Sequence, residues 1–136
     1  MYNPKACIIN EYLYYYYQRG NSITKKHTSK ILDISKATEF IKSKLIEHNK
    51  YNKYKMEFEY LAFYHNYFLR IDDIYKISSK YNKILYDIWK KMNINIYNNQ
   101  YYKIIIKNYS IKSRIIFMLC ERSYCFGKYY HKHRKN

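Results

Sequence analysis

The chain loses its acidic residues after Asp87. From Ile88 to Asn136 the only carboxylate side chain is Glu121, set against eleven lysines and arginines. The first 87 residues are more balanced, with fifteen basic and nine acidic side chains. A surface as positive as the last third cannot pack against itself without a counter-charge. We therefore expect a folded front and a basic back that lies against a polyanion.

The overall charge favours nucleic acid as that polyanion. The chain has 136 residues, a net charge of +16 and a pI of about 9.6, and it is long enough for one domain with a modest core. An anionic membrane surface would also attract it, but no apolar run approaches the ~20 residues that span a bilayer. We expect no membrane span. A solvated lysine surface without a specific partner is the alternative interpretation.

The residue usage also suggests where the gene resides. Tyr, Lys, Ile and Asn make up more than half of the chain, and these are the residues that AT-rich codons supply. Such codon usage is common in organellar genomes. The N-terminus carries Glu11 and has neither the Arg-rich and Ser-rich character of a transit peptide nor the apolar stretch of a signal peptide. We therefore expect an organelle-encoded protein of the mitochondrial matrix.

Hydrophobic periodicity predicts a mostly α protein. We expect an N-terminal extension over 1–30, a helical body of three to four helices over 31–108, and an extended basic RNA-binding segment over 109–136. The first helix covers 34–48 with Asp33 as its N-cap. The second covers 54–70 and the third 74–92. The stripes expected to face the core are Ile34, Ala37, Ile41 and Leu45 in the first helix, and Ile74, Ile77, Tyr81, Ile84, Ile88 and Met92 in the third.

The remaining elements follow from local signals. Trp89 is expected to pack against the second helix. Residues 93–103 are expected to form a loop, and 104–106 a short strand or a buried contact. Ser110 can cap a fourth helix that ends near Arg122. Ile111, Ile115, Met118 and Leu119 are expected to lie on one side of it.

The sequence contains no pattern that indicates catalysis. The chain has two glycines, so no phosphate-cradling glycine loop exists, and no Gly-x-Ser-x-Gly elbow appears. His131 and His133 lie among lysines, which favours the neutral imidazole. We expect no enzyme activity, no catalytic residue, no cofactor and no small-molecule substrate.

The cysteines do not form a recognised metal motif. Cys120 and Cys125 are not spaced as Cys-x2-Cys, and an odd count of three argues against a disulfide framework. Ordinary thiols and no metal are the default expectation. A zinc site that combines the three cysteines with His131 or His133 is the open alternative.

The C-terminal segment interleaves cations with planar side chains. Lys and Arg neutralise phosphates, and planar side chains stack on unpaired bases, so this composition suits single-stranded or irregular RNA. We expect deletion of residues 124–136 to reduce RNA binding while leaving the helical circular-dichroism signal nearly intact. The candidate RNA-binding residues are Lys112, Arg114, Arg122, Lys128, Tyr129, Tyr130, His131, Lys132, Arg134 and Lys135.

Residues 108–134 resemble the core of the small-subunit ribosomal protein fourteen family in its bacterial and mitochondrial form. That core reads Asn-Ser-Ser, an Arg, Arg-Cys-x-x-Thr-Gly-Arg, a basic stretch and Tyr-Arg-x-Phe. In one register Asn108, Arg114, Cys120 and Ser123 meet the Asn, the first Arg, the Cys and the Thr. In a second register residues 113–117 meet the Ser-Arg-Ile-Val-Phe that opens the family's last helix.

The resemblance implies a structural role in the head of the small ribosomal subunit, bound to the 3′ domain of its RNA. The chain lacks the Cys-x2-Cys pairs of the zinc-binding members, so a zinc-free form is implied. The expected partners are ribosomal RNA and neighbouring ribosomal proteins. The alternative is a non-catalytic structural subunit of an organellar membrane complex that acts through protein–protein contacts.

Overall fold

A computed structural model of the chain describes residues 29–134, and within this range the protein is helical and contains no strand. The prediction of a mostly α protein is confirmed. Nearly all of the predicted N-terminal extension lies outside the described residues. Three 3-10 turns, Ser29–Leu32, Phe68–Arg70 and Ile96–Asn98, and one π turn, Asp72–Lys76, accompany the helices. The α-helices are α1 (Asp33–Glu47), α2 (Lys55–Asn66), α3 (Asn82–Lys91), α4 (Gln100–Ile106), α5 (Ile111–Arg122) and α6 (Tyr124–His133).

Aromatic rings form the centre of the core. Trp89 of α3 stacks on Tyr67 with ring centroids 5.4 Å apart and meets Phe63 of α2 edge-on at 5.8 Å. Phe117 of α5 closes the group from the other side, 5.5 Å from Tyr67. Such ring pairs contribute about 1 kcal/mol each beyond the burial of their surface. The predicted contact between Trp89 and the second helix is confirmed.

A polar cluster, rather than the predicted apolar stripe, joins α1 to α2. The Ser35 hydroxyl donates to Asn66 Oδ1 at 2.8 Å, and Asn66 Nδ2 donates to Thr38 Oγ1 at 3.0 Å. All three side chains are buried, whereas Ala37 and Ile41 of the predicted stripe are exposed. The stripe prediction was wrong because α1 buries the side that hydrogen-bonds to the side-chain amide of Asn66, about thirty residues further along the chain.

The start of α1 also differs from the prediction. Asp33 is the first helical residue and pairs with Lys36 at 3.1 Å, while Leu32 occupies the N-cap position without a side-chain bond. The expected Asp33 cap is therefore wrong.

The third predicted helix is divided in two. It begins as the π turn, becomes extended at Ile77, and restarts at Asn82. The Asn82 amide donates to the carbonyl oxygens of Ile74 and Ile77 at 2.8 and 2.6 Å, and so satisfies the backbone at the break. The residues of the predicted stripe over 74–92 are therefore divided between the π turn and α3. Ile84, one of these residues, is exposed.

Helix α4 replaces the predicted loop and strand. Asn99 caps it by accepting hydrogen bonds from the backbone N–H groups of Tyr101 and Tyr102. The Asn99 amide also donates to the Met56 carbonyl at 2.7 Å, which ties α4 to α2. Ile104 lies outside the core and is 64% exposed.

Helix α5 has the predicted cap and bounds. Ser110 Oγ accepts from the Ser113 N–H at 3.2 Å, and the helix ends at Arg122. The outer face of α5, which we define as Ile111, Ile115 and Leu119, is exposed. Phe117 and Cys120 face the core instead.

The basic C-terminal segment is a helix where an extended tail was predicted. Ser123 caps α6 by accepting from the Phe126 N–H at 3.3 Å, and basic side chains in the last turn suit the negative end of the helix dipole. Helix α6 packs on α5 and on the π turn. No helix within residues 29–134 is long and apolar enough to cross a membrane.

Candidate nucleic-acid interface

Apart from Lys90, the cations of the last third have no carboxylate partners in the described part of the chain. Ion pairs such as Lys44–Glu47 and Lys83–Asp87 join residues three or four apart in the first part of the protein. After Lys90, which pairs with Glu121, no lysine or arginine up to Arg134 forms an ion pair within residues 29–134. The positive charge of this region is therefore available to an external anion.

Glu121 does not reduce that charge at the surface because its carboxylate is directed inward. The side chain is 7% exposed and accepts hydrogen bonds from Trp89 Nε1, Lys90 Nζ and Tyr97 OH at 3.2, 2.9 and 3.1 Å. Three donors from α3 and the following turn thus satisfy the one carboxylate of the basic third. The buried acid fixes α5 against α3.

Helix α6 and the π turn together form a cationic cleft of about 740 Å³. Lys128 and Lys132 lie one turn apart on α6, and Arg134 follows its last residue. Lys76 enters from the π turn, where it also contacts Asp72 at 2.7 Å. Four cations line this one cleft, and a polyanion such as a phosphate backbone can neutralise several of them at once. The residues that line it are Tyr75, Lys76, Lys128, Tyr129, His131, Lys132 and Arg134.

Tyr75 holds α6 in this position. Its hydroxyl donates to the Cys120 carbonyl at 2.7 Å, and its ring stacks on His131 with centroids 5.3 Å apart and planes 8° apart. Gly127 lies directly over the same ring, where a Cβ atom would come within 2.3 Å of Tyr75 Cε1. Burial raises the pKa of Tyr75 far above its ordinary value, so the hydroxyl remains a donor at any working pH.

A second cavity of about 430 Å³ adjoins the cationic cleft. The two share Tyr75, Lys76, His131 and Arg134, and the second extends inward to Phe68 of the 3-10 turn and Phe117 of α5. Its interior is therefore aromatic and aliphatic, and its cationic residues are those shared with the cleft. Asp72, the ion-pair partner of Lys76, is the one carboxylate in its lining.

His131 lies at the boundary between the two cavities. Its Nδ1 atom is buried and has no hydrogen-bond partner among the described residues. Burial lowers the pKa of His131, and Lys76 and Arg134 lower it further, while Asp72 opposes the shift. The neutral form that the sequence indicated for His131 agrees with this direction, with burial rather than neighbouring lysines as its main cause.

The structure brings together some of the predicted RNA-binding residues and separates the others. Lys128, Tyr129, His131, Lys132 and Arg134 line one cleft. Lys112 and Arg122 are exposed on α5 and do not line it, while Tyr130 is half-buried against Phe126. Lys135 lies outside the described residues.

Arg114 has a structural task. Its Nε donates to the Tyr109 carbonyl at 2.9 Å and its Nη2 to the Lys107 carbonyl at 3.0 Å, so it closes the end of α4. Tyr129, Tyr130 and His131 are the planar side chains among the candidates and the ones expected to stack on bases. Tyr129 is the most exposed of them, at 65%. His131 already uses one face against Tyr75.

Lys76 was not among the predicted site residues. In the sequence it follows Asp72 by four positions, a spacing that indicates a neutralised pair on a helix surface. Only the π turn, which places Lys76 beside Arg134, reveals its position in the cleft.

The cysteines do not form a metal site within residues 29–134. Cys120 is buried and Cys125 is exposed, and no three His, Cys, Asp or Glu side chains in this range are grouped closely enough to hold a metal ion. Cys7, which the alternative zinc site requires, lies outside the described residues.

Comparisons with protein-family models, with curated proteins and with solved structures found no match to this chain.

Proposed function

We propose that this protein is a non-catalytic RNA-binding component of a ribonucleoprotein, and that the cleft between α6 and the π turn binds RNA phosphates. The observation that carries the proposal is the concentration of Lys76, Lys128, Lys132 and Arg134 around one cleft. Each phosphate that these cations neutralise releases counterions into solution, which favours binding at low salt.

The assembly we propose is a mitochondrial small ribosomal subunit, in which the protein is a structural constituent. The resemblance of residues 108–134 to the ribosomal protein fourteen family supports this proposal, as does the AT-rich residue usage. Ribosomal RNA and adjacent ribosomal proteins would then be its partners. The helical form of α6 changes the expected mode of contact, because a helix presents its cations on one side instead of threading them through RNA.

Salt-dependent RNA binding tests the proposal. The affinity of the full chain for a single-stranded RNA is measured across a salt series, beside a variant in which Lys128, Lys132 and Arg134 become Gln. We expect the triple variant to lose at least about tenfold in affinity at low salt, and its log–log salt slope to fall by about 2, since each single-strand phosphate contact contributes about 0.7.

A matched control removes the same charge elsewhere. Lys42, Lys50 and Lys53 lie in α1 and in the connection to α2, and none forms an ion pair within residues 29–134. Their triple Gln variant is expected to keep most of the affinity. Equal losses in the two variants would mean that net charge, and not the cleft, binds RNA.

A second candidate function rests on the outer face of α5. Ile111, Ile115 and Leu119 are 73%, 49% and 39% exposed, and aligned apolar side chains of this kind are typical of protein interfaces. This favours a structural subunit of an organellar membrane complex, held by protein contacts. Co-sedimentation of the full chain with ribosomal particles or with a membrane complex in one gradient distinguishes the two functions.

A further inference from the structure

We propose that the aromatic cavity beside the cationic cleft binds one unstacked nucleobase, so that the preferred ligand is single-stranded or looped RNA and not a regular duplex. The inference rests on the proposed function and names the part of RNA that the second cavity takes. The cleft would hold phosphates, and the cavity would hold the base attached to one of them.

The arrangement of the two cavities supports this assignment. Tyr75, Lys76, His131 and Arg134 line both, so a ligand can occupy the two without crossing a wall. A nucleotide has the same arrangement of parts, with a flat ring a short distance from a phosphate. Because Lys76 and Arg134 belong to both cavities, the phosphate of an inserted base would lie where cations already converge.

The chemistry of the inner cavity suits a nucleobase. Its volume of about 430 Å³ falls within the range of small-molecule sites in proteins, and those sites are mostly apolar with a few polar groups that orient the ligand. Phe68 and Phe117 supply aromatic surface for stacking, which stabilises unpaired bases in single-strand binding proteins.

His131 supplies a polar group of this kind. Its buried Nδ1 has no partner among the described residues, and a buried polar atom without a hydrogen bond is costly. A base reaches this nitrogen when the imidazole turns it toward the cavity that His131 lines, and the edge of a base offers both donors and acceptors, so it can then bond the nitrogen in either tautomer. The hydroxyls of Tyr67 and Tyr75 do not bond this nitrogen, because they hydrogen-bond to each other and the Tyr75 hydroxyl donates to the Cys120 carbonyl.

Because the cavity takes an unstacked base, the protein selects single-stranded or looped RNA over duplex RNA. A base inside a duplex is paired and stacked, so it would have to leave the helix before it entered the cavity. Loops, bulges and ends present bases that are already free. The cationic cleft alone would not make this distinction, since duplex and single strand both carry phosphates.

The test compares a short single-stranded RNA with an abasic strand that has the same sugar-phosphate backbone. The full-length protein is titrated with each strand across the salt series. We expect the base-bearing strand to bind about tenfold more tightly, because stacking of one base has that magnitude. Both strands should show the same salt slope, because they carry the same phosphates.

A cavity-filling variant connects that difference to this site. Ser113 lines the cavity from α5. Its hydroxyl shares a hydrogen bond of 2.9 Å with Ser110 Oγ, and the Ser110 cap also uses the Ser113 backbone N–H, which a substitution retains. We expect Ser113→Trp to abolish the preference for the base-bearing strand and to keep the salt slope. Ser43→Trp, on the exposed side of α1, is the matched control and should keep both properties.

If Ser113→Trp loses helical circular dichroism, Ile106→Phe fills the cavity from the end of α4 and takes its place. Equal affinity of the wild type for the two strands, with a steep salt slope, would overturn the base site and leave the proposed function standing. Absence of salt-dependent binding to either strand would overturn both. Displacement of the RNA by a nucleoside monophosphate at equal concentration would assign the cavity to free nucleotides and overturn RNA as its ligand.

Discussion

At the scale of single residues, Glu121 determines how the basic third can join the core. Lysine and arginine are rarely buried without a partner, and this region has one carboxylate to offer. The fold directs that carboxylate toward Trp89, Lys90 and Tyr97 and leaves the remaining cations outside. The one carboxylate thus lies on the side of α5 that faces the core, and the unpaired cations lie on the surface around it.

We expect Glu121→Ala to lower the free energy of unfolding by roughly 3 kcal/mol, because it leaves the Trp89 and Tyr97 donors without an acceptor. Urea unfolding followed by circular dichroism measures this change. Glu57→Ala serves as the control, since that exposed carboxylate accepts a single bond from Tyr101 OH, and we expect a loss of about 0.5 kcal/mol or less. Similar losses in the two variants would contradict a structural role for the buried carboxylate.

The two described cysteines should differ in reactivity. Burial raises the pKa of the Cys120 thiol to about 11, so little thiolate forms at neutral pH, and the side chain is 3% exposed. Cys125 is exposed on α6. In a Cys7→Ser background we expect iodoacetamide to label Cys125 in the native protein and Cys120 only after unfolding, as peptide mass spectrometry would show. Rapid native labelling of Cys120 would mean that α5 separates from the core.

His131 should make stability depend on pH. Its pKa is lowered by burial, by Lys76 and by Arg134, against the opposing charge of Asp72, so the unfolded chain binds the proton more readily. Its contribution is therefore present above the ordinary histidine pKa of about 6.5 and is lost as the pH falls below that value.

The comparison with His131→Gln isolates this contribution. We expect the stability difference between wild type and variant to shrink between pH 7.5 and pH 5 in urea unfolding. A difference that grew on acidification would show that the folded protein favours imidazolium at this position.

At the scale of elements, α6 depends on a glycine inside a helix. Alanine normally stabilises a helix interior by about 1 kcal/mol relative to glycine. At Gly127 the added Cβ would lie 2.3 Å from the Tyr75 ring, which its hydrogen bond to Cys120 and its contact with His131 hold in place. The close approach of helix and ring therefore requires the glycine.

We expect Gly127→Ala to lower the free energy of unfolding by about 2 kcal/mol, because overcrowding outweighs the gain in helix propensity. Thermal and urea unfolding measure the loss. Cys125→Ala, at an exposed position of the same helix, should be close to neutral. Combined with Tyr75→Ala, Gly127→Ala should cost less than it does alone, and additive effects would show that the ring is not the obstacle.

Local capping signals predicted part of the helical framework, and partners distant in sequence determined the rest. Ser110 marked the start of α5 correctly because a cap acts on the backbone next to it. The buried side of α1 could not be predicted, since Ser35 and Thr38 are buried only through Asn66. Helix α6 was missed because Tyr124, Gly127 and His131 form its contact with Tyr75, and only the first of them would contribute to an apolar stripe.

The candidate site was predictable to a similar degree. Charge alone selected Lys128, Lys132 and Arg134, which do line the cleft. Charge also selected Arg114, whose guanidinium closes the end of α4 instead. The position of Lys76 in the cleft depends on the three-dimensional course of the π turn, which hydrophobic periodicity does not predict.

At the scale of the whole molecule, folding and binding use adjacent sides of the same C-terminal helix. One side of α6 covers Tyr75 through Gly127 and His131, and Lys128 and Lys132 border the cleft. The sequence predicted an extended tail, and removal of such a tail would leave the helical body intact. The packing of α6 on α5 and on the π turn leads to a different expectation.

We expect deletion of residues 124–136 to abolish RNA binding and also to lower the free energy of unfolding by at least about 2 kcal/mol, because it exposes the Tyr75 ring to water. The Gln variant of Lys128, Lys132 and Arg134 should lose RNA affinity while its stability changes by about 0.5 kcal/mol or less, since these cations form no ion pair within residues 29–134. Urea unfolding and RNA titration of the two proteins, side by side, separate the roles. A deletion that kept the wild-type unfolding midpoint would show that α6 is an appendage, and the cleft it forms with Tyr75 and Lys76 would then lose its structural basis.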